Sequence, residues 1–176
     1  MGITITGISQ SNLWRVGILM ILVTLGTQDK SFHRLLTCLE ELIEGGFLKE
    51  KVVVQAGHTK FDSEYMEIFD LVPMDQFEEL ITEAEVLITH GGVGSIITAL
   101  KKNKKVIAVA RREEYKEHTN NHQLEIIEEF SKQGYLLPVL EIEDLKDAIM
   151  KIPGFQPKEF KSNTENMMAI IQNYIK

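Results

Sequence analysis

Residues 85–102 read EVLITHGGVGSIITALKK, an apolar run, a burst of glycines and a second apolar run ending in lysines. The first run, 85–89, is apolar on successive positions rather than alternating, as in a strand buried on both faces. The second, from about Ser95 to Lys102, has the length and composition of a helix, with cations at its C-terminal end where the helix dipole favours them. Between them His90, Gly91, Gly92, Val93, Gly94 and Ser95 form a strand-to-helix loop. A buried strand, a glycine loop and a helix in succession are one unit of a parallel α/β sheet.

The same alternation extends in both directions. Upstream, Met20–Thr24 and Lys51–Gln55 (KVVVQ) read as strands, and 66–72 (MEIFDLV) as a third. Between the first two, Ser31 is positioned to cap a helix whose Phe32, Leu35, Leu36, Leu39, Leu42 and Ile43 share one face, closed by Gly45 and Gly46. Residues 75–84 read as a short amphipathic helix. Downstream, 105–110 (KVIAVA) is a fifth strand, 119–133 a helix stopped by Gly134, 135–140 a sixth strand, and 142–151 a helix. The expected fold is a doubly wound, mostly parallel Rossmann-like sheet with helices on both faces.

Three segments follow. Residues 1–19 are a leader with no basic n-region ahead of a long apolar stretch, unlike a signal peptide. Residues 20–152 are the Rossmann-like domain. Residues 153–176 are a C-terminal extension, in which Met167, Ile170, Ile171, Tyr174 and Ile175 of a helix over 163–175 share a face that either packs on the domain or docks a partner.

Composition narrows the function. The 176 residues are 44% hydrophobic and 26% charged, with a formal charge of −7 and a pI near 5.3. That balance argues against a general nucleic-acid binder, which carries a basic face. The single cysteine, Cys38, forms no internal disulfide, and no apolar stretch reaches the roughly 18 residues of a membrane span.

Ligands of an open parallel sheet bind beyond the carboxyl ends of its strands. Loops 24–28, 55–60, 90–95 and 111–121 are therefore the candidate site. The glycine loop has two readings: a tight turn with close helix–strand packing, or a phosphate cradle in which Gly91, Gly92 and Gly94 admit a ligand to the backbone and Ser95 adds a hydroxyl at a helix N-terminus. A P-loop is excluded because no Gly-Lys-Ser/Thr occurs, and the glycine register and strand position do not fit a dinucleotide fingerprint. The stretch RREEYKEHTNNHQ, 111–123, concentrates Arg, Glu, His, Asn and Gln at a helix entrance. His118 and His122 stand four apart, the spacing of two metal ligands on one helix face, but no third ligand accompanies them, so no metal is expected.

THGGVGS after a strand, NNHQ opening a helix some 25 residues later, and VTLGTQ at the start together resemble the donor-binding half of family 28 glycosyltransferases with the GT-B fold. Within that family the resemblance is to the small catalytic subunits of two-component enzymes, both those acting on dolichol-linked N-acetylglucosamine glycans and the PssE-like subunits of bacterial capsule and exopolysaccharide synthesis. It implies an inverting hexosyltransferase using a UDP-sugar (N-acetylglucosamine, galactose or glucuronic acid), with no cofactor and no metal. Gly91, Gly92, Val93, Gly94 and Ser95 would hold the diphosphate, Gly26 and Thr27 would face it, and Asn121, His122 and Gln123 would contact the sugar or nucleotide. His90 and Arg111 adjoin these groups. His90, Glu117 and His118 are candidates for the general base. Where larger relatives place a ribose-gripping glutamate, this chain reads Ile96, Ile97 and Thr98, and Glu114 or Glu117 would have to substitute.

One Rossmann-like domain is half of a GT-B cleft. The resemblance therefore implies a membrane-anchored acceptor-binding subunit, a lipid-diphosphate-linked acceptor, and a cytoplasmic chain recruited to the membrane by that partner. Self-association of the isolated chain stays open, as do two other classes: a non-catalytic nucleotide-sugar-binding subunit, and a stand-alone epimerase or nicotinamide enzyme.

Overall fold

The computed structural model describes residues 20–160; the leader and the expected helix over 163–175 lie outside the described residues. Six strands, β1 (Met20–Thr24), β2 (Lys51–Gln55), β3 (Glu67–Phe69), β4 (Val86–His90), β5 (Lys105–Val109) and β6 (Leu137–Val139), alternate with helices α1 (His33–Glu44), α2 (Met74–Glu83), α3 (Val93–Lys101), α4 (His122–Lys132) and α5 (Leu145–Lys151). The strands form one sheet in the order β3-β2-β1-β4-β5-β6. Every pairing is parallel.

The strands are apolar on both faces because each face has its own core. Ile21, Val23, Val52, Val54, Val86, Ile88, Ile107 and Val109 pack with α1 and α5 through Leu35, Leu36, Leu39, Leu145 and Ile149. Leu22, Val53, Leu87, Val106 and Ala108 point the other way, onto Ile81 of α2, Ile96 and Leu100 of α3, and Ile127 and Phe130 of α4. Each such side chain contributes about 1.5–3 kcal/mol by leaving water. The doubly wound, Rossmann-like architecture is as the sequence predicts.

Several element ends differ. The helix after the glycine loop begins at Val93, so Gly94 and Ser95 lie in its first turn rather than ahead of it. Ser31 does not cap α1: its hydroxyl pairs with the His33 ring, the N-cap is Phe32, and the Phe32 N–H is donated to Thr59 Oγ1 at 3.0 Å. The third strand shrinks to three residues, because it is an edge strand whose partner β2 ends at Gln55, opposite Phe69. The fourth helix starts at His122, since 111–121 is tied into a strap by its own side chains. The sixth strand is confined to Leu137–Val139. The 142–151 segment divides into a 3-10 turn, Ile142–Asp144, and α5.

The chain winds to one side from β1 through β2 to β3 and to the other through β4, so β1 and β4 flank the point where strand order reverses. A ligand crevice opens beyond the carboxyl ends of strands at such a point.

Candidate active site

A cleft of about 430 Å³ lies there, within the range of small-molecule sites. Gly26 and Thr27 line it from the end of β1, Gln55 from β2, and His90 from β4; Gly92, Gly94, Ser95 and Thr98 line it from α3. Leu71, Val72, Met74 and Phe77, before and within α2, make an apolar wall. A larger groove of about 810 Å³ lies along residues 59–70. Its one cation among the described residues, Lys60, is taken up by Asp70 at 2.8 Å, so the site is assigned to the smaller cleft, where a helix begins.

His90 forms the centre of that cleft, and two glycines make room for it. Gly26 has φ +78, and a Cβ there would come within 2.6 Å of the imidazole; a Cβ on Gly92 would press on the ring more closely still. The ring is 9% exposed. Burial, then the Arg111 guanidinium, pushes its pKa from 6.5 down to about 4 against an opposing hydrogen bond that the ring donates to the Thr24 backbone, so it is neutral at pH 7.

Beside it Gly92 is the N-cap of α3, and its own N–H is donated to His90 O at 2.7 Å. The first intrahelical bond runs from Ile96 N–H to Gly92 O. The N–H groups of Val93, Gly94 and Ser95 precede it and carry the positive end of the helix dipole. The Val93 side chain turns away and packs on the core. An anionic group fits this corner without any cationic side chain.

Arg111 and Gln123 hold the corner from behind. Arg111 is fully buried. Its guanidinium donates to the carbonyls of Leu25, Lys30 and Glu117, and lies over the Phe32 ring at 5.0 Å. It ties the loop after β1 to the loop after β5 and does not line the cleft, contrary to its expected ligand contact. Gln123, also buried, accepts the Gly91 N–H at 3.2 Å and the Arg111 N–H at 3.4 Å through Oε1. It therefore fixes the glycine loop to β5. Asn121 and His122, which the sequence groups with it, are exposed: Asn121 Oδ1 accepts the Glu113 N–H, and His122 lies 3.6 Å from Glu125.

The other candidate bases fall outside the cleft lining. Glu117 is buried in an ion pair with Arg34 at 2.8 Å and also accepts the Arg112 N–H, so its carboxylate is occupied. His118 contacts Gln28 and Asn120. Glu114 pairs with Arg112 at 3.0 Å and does not reach the cleft. Because α4 starts at His122, His118 and His122 share no helix face, and no group of three potential metal ligands occurs among the described residues. Sequence reasoning reached Gln55 only as the first residue of the 55–60 loop and passed over the apolar wall; the signal that singles out Gln55 is a polar residue terminating an otherwise apolar strand, VVVQ.

A six-stranded parallel sheet with a cleft and a helix N-terminus at its switch point is a Rossmann-like domain, the architecture of each half of a GT-B fold. Residues 20–175 match the glycosyltransferase family 28 C-terminal domain, and the chain belongs to that family. Among curated relatives it is similar to the human UDP-N-acetylglucosamine transferase subunit ALG13, 28% identical over 127 residues, 66% of this chain and 10% of that one. The Candida glabrata subunit of the same name is 36% identical over 88 residues, covering 47% of this chain and 41% of its own. The chain thus spans well under two thirds of these curated relatives. Among solved structures, the solution structure of ALG13 superimposes with a TM-score of 0.60 at 18% identity, over 92% of this chain and 99% of that one. The calicheamicin glycosyltransferase CalG4 gives 0.56 at 17% identity, over 92% and 38%. No helix among the described residues is long and apolar enough to cross a membrane.

Proposed function

We propose that this chain is the donor-binding subunit of an inverting glycosyltransferase that takes a UDP-sugar and transfers the sugar to a lipid-diphosphate-linked acceptor, working with a membrane-anchored subunit that binds the acceptor. The observation that carries this reading is the corner formed by Gly92, Gly94 and Ser95 at the start of α3, opposite Gly26 and Thr27 and beside a neutral His90. In the reaction, an acceptor hydroxyl oxygen bonds to the anomeric carbon as the bond from that carbon to the UDP phosphate oxygen breaks. The charge left on the diphosphate meets the N–H groups of Val93, Gly94 and Ser95 and the helix dipole, so the step needs no metal. The hydroxyl proton passes to a general base. Glu117 and His118 are held elsewhere, which leaves His90, neutral and lining the cleft, as this chain's candidate base, with the facing half of the cleft as the alternative source. The printed names of the relatives make UDP-N-acetylglucosamine the first donor to test, ahead of the UDP-galactose and UDP-glucuronic acid alternatives, and the capsule or exopolysaccharide setting remains part of the proposal.

A second reading, a nucleotide-sugar-binding subunit without catalytic function, is favoured by one observation: no carboxylate lines the cleft among the described residues. Calorimetric titration with UDP separates both from an unrelated function. The chain should bind UDP, and the double variant Gly92→Ala, Ser95→Ala should lose that binding; an unchanged affinity would sink the diphosphate assignment. Transfer assayed with and without a co-expressed membrane-anchored partner then distinguishes the two readings. Transfer only in the pair supports the first; none in either, with UDP bound, supports the second.

A further inference from the structure

Among the described residues, two buried side-chain polar atoms lack a hydrogen-bond partner, Arg111 Nε and Gln55 Oε1. Arg111 is accounted for: its other guanidinium nitrogens bond three carbonyls, and an aromatic ring covers its face. Gln55 has no such account. It is 7% exposed and lines the cleft.

Its register places it in a polar row. Gln55 pairs in register with Thr24, and Thr24 with Thr89. Side chains in register on parallel strands share a face, so these three form a polar row across the ends of β2, β1 and β4. The two threonines satisfy each other, oxygen to oxygen at 2.8 Å. Gln55, at the end of the row, lines the cleft beside a wall of Leu71, Met74 and Phe77 that offers its amide no side-chain donor. Folded proteins seldom leave a buried amide oxygen unpaired, because it loses water and gains nothing. Where one persists at a ligand crevice, the ligand is the natural partner.

We propose that Gln55 is a specificity-determining residue whose side-chain carbonyl accepts a hydrogen bond from an N–H or O–H of the nucleoside part of the bound nucleotide. This rests on the UDP-sugar reading above. The apolar wall beside Gln55 suits the flat face of a base, and the α3 corner takes the diphosphate, which places the nucleoside between them. The donor is either the imide N–H of the base or a ribose hydroxyl.

The experiment is calorimetric titration of the 176-residue chain and its Gln55→Met and Gln55→Asn variants with UDP, N3-methyl-UDP and 2′-deoxy-UDP, with a thermal melt of each free protein. Both variants should bind UDP at least tenfold more weakly. Gln55→Met should melt no lower than the parent, because it removes a buried polar atom that lacks a partner. One analogue should bind the parent weakly yet bind Gln55→Met no worse than UDP does, which identifies the donor as imide or hydroxyl. UDP affinity within twofold of the parent in either variant would overturn the assignment. So would a Gln55→Met melt that falls, or analogue losses equal in parent and variant, which mark the residue as structural. If the parent itself does not bind UDP, the UDP-sugar reading fails first, and this inference falls with it.

Discussion

His90 is caged between Gly26 and Gly92 with Arg111 behind it, and its titration is the most direct test of that cage. Its pKa is about 4 in the folded chain, lowered first by burial and then by Arg111, against an ordinary value near 6.5 in the unfolded one. Between those values the unfolded chain takes up a proton that the folded chain refuses. Stability therefore rises with pH across this window and falls as the pH drops from about 6.5 to about 4, by about 3 kcal/mol in all. Histidine NMR titration and denaturant melts over pH 4–7 check the two halves of this expectation. Arg111 gives a second prediction. Arg111→Met strands the buried carbonyls of Leu25 and Glu117 and the partly buried one of Lys30, so it should destabilise the fold by about 3 kcal/mol. It also removes a nearby positive charge, so the His90 pKa should rise and the acid-side loss of stability should shrink. A melt that falls while the His90 titration stays in place would contradict the electrostatic link.

At the scale of elements, the two that matter are the start of α3 and the strap from Arg111 to Asn121. A side chain on Gly92 would collide with the His90 ring, so Gly92→Ala should cost about 1–3 kcal/mol, as overpacking does, and weaken UDP binding; circular dichroism melts and calorimetry check both. The order of strands and helices was legible in the sequence because buried parallel strands and amphipathic helices differ in period and length. The glycine loop was legible because clustered glycines after a strand have few other uses. The first turn of α3 was not: the glycines that mark a loop also open the helix here, since Val93 packs on the core and commits the backbone early. The strap was least legible. Its density of polar residues reads as a ligand surface, yet Glu117 is paired with Arg34, 83 residues away in sequence, and Arg111 with carbonyls of the first loop. Partners that distant leave no local pattern. For the same reason Asn121, His122 and Gln123, adjacent in the chain, separate into two exposed side chains and one buried anchor.

At the scale of the whole molecule, a single sheet covered by helices leaves its working edge open. The cleft has a floor, an apolar wall and an anion corner, and Met74 on its rim is 71% exposed. A wall of that kind is open to a second domain, the acceptor-binding half of the proposed function. The chain alone should therefore bind UDP without turnover, and transfer should appear on adding the partner; turnover by the chain alone, measured as UDP released in the presence of acceptor, would contradict that division. The bond from Gly91 to Gln123 bears on how the protein is made. A ribosome delivers the glycine loop 32 residues before the side chain that pins it. Until Gln123 emerges, β4 has been synthesised but its loop has no anchor. The anion corner thus takes shape only once α4 begins to emerge, and a nascent chain halted before that glutamine should carry most of the sheet yet show no UDP-dependent protection from protease.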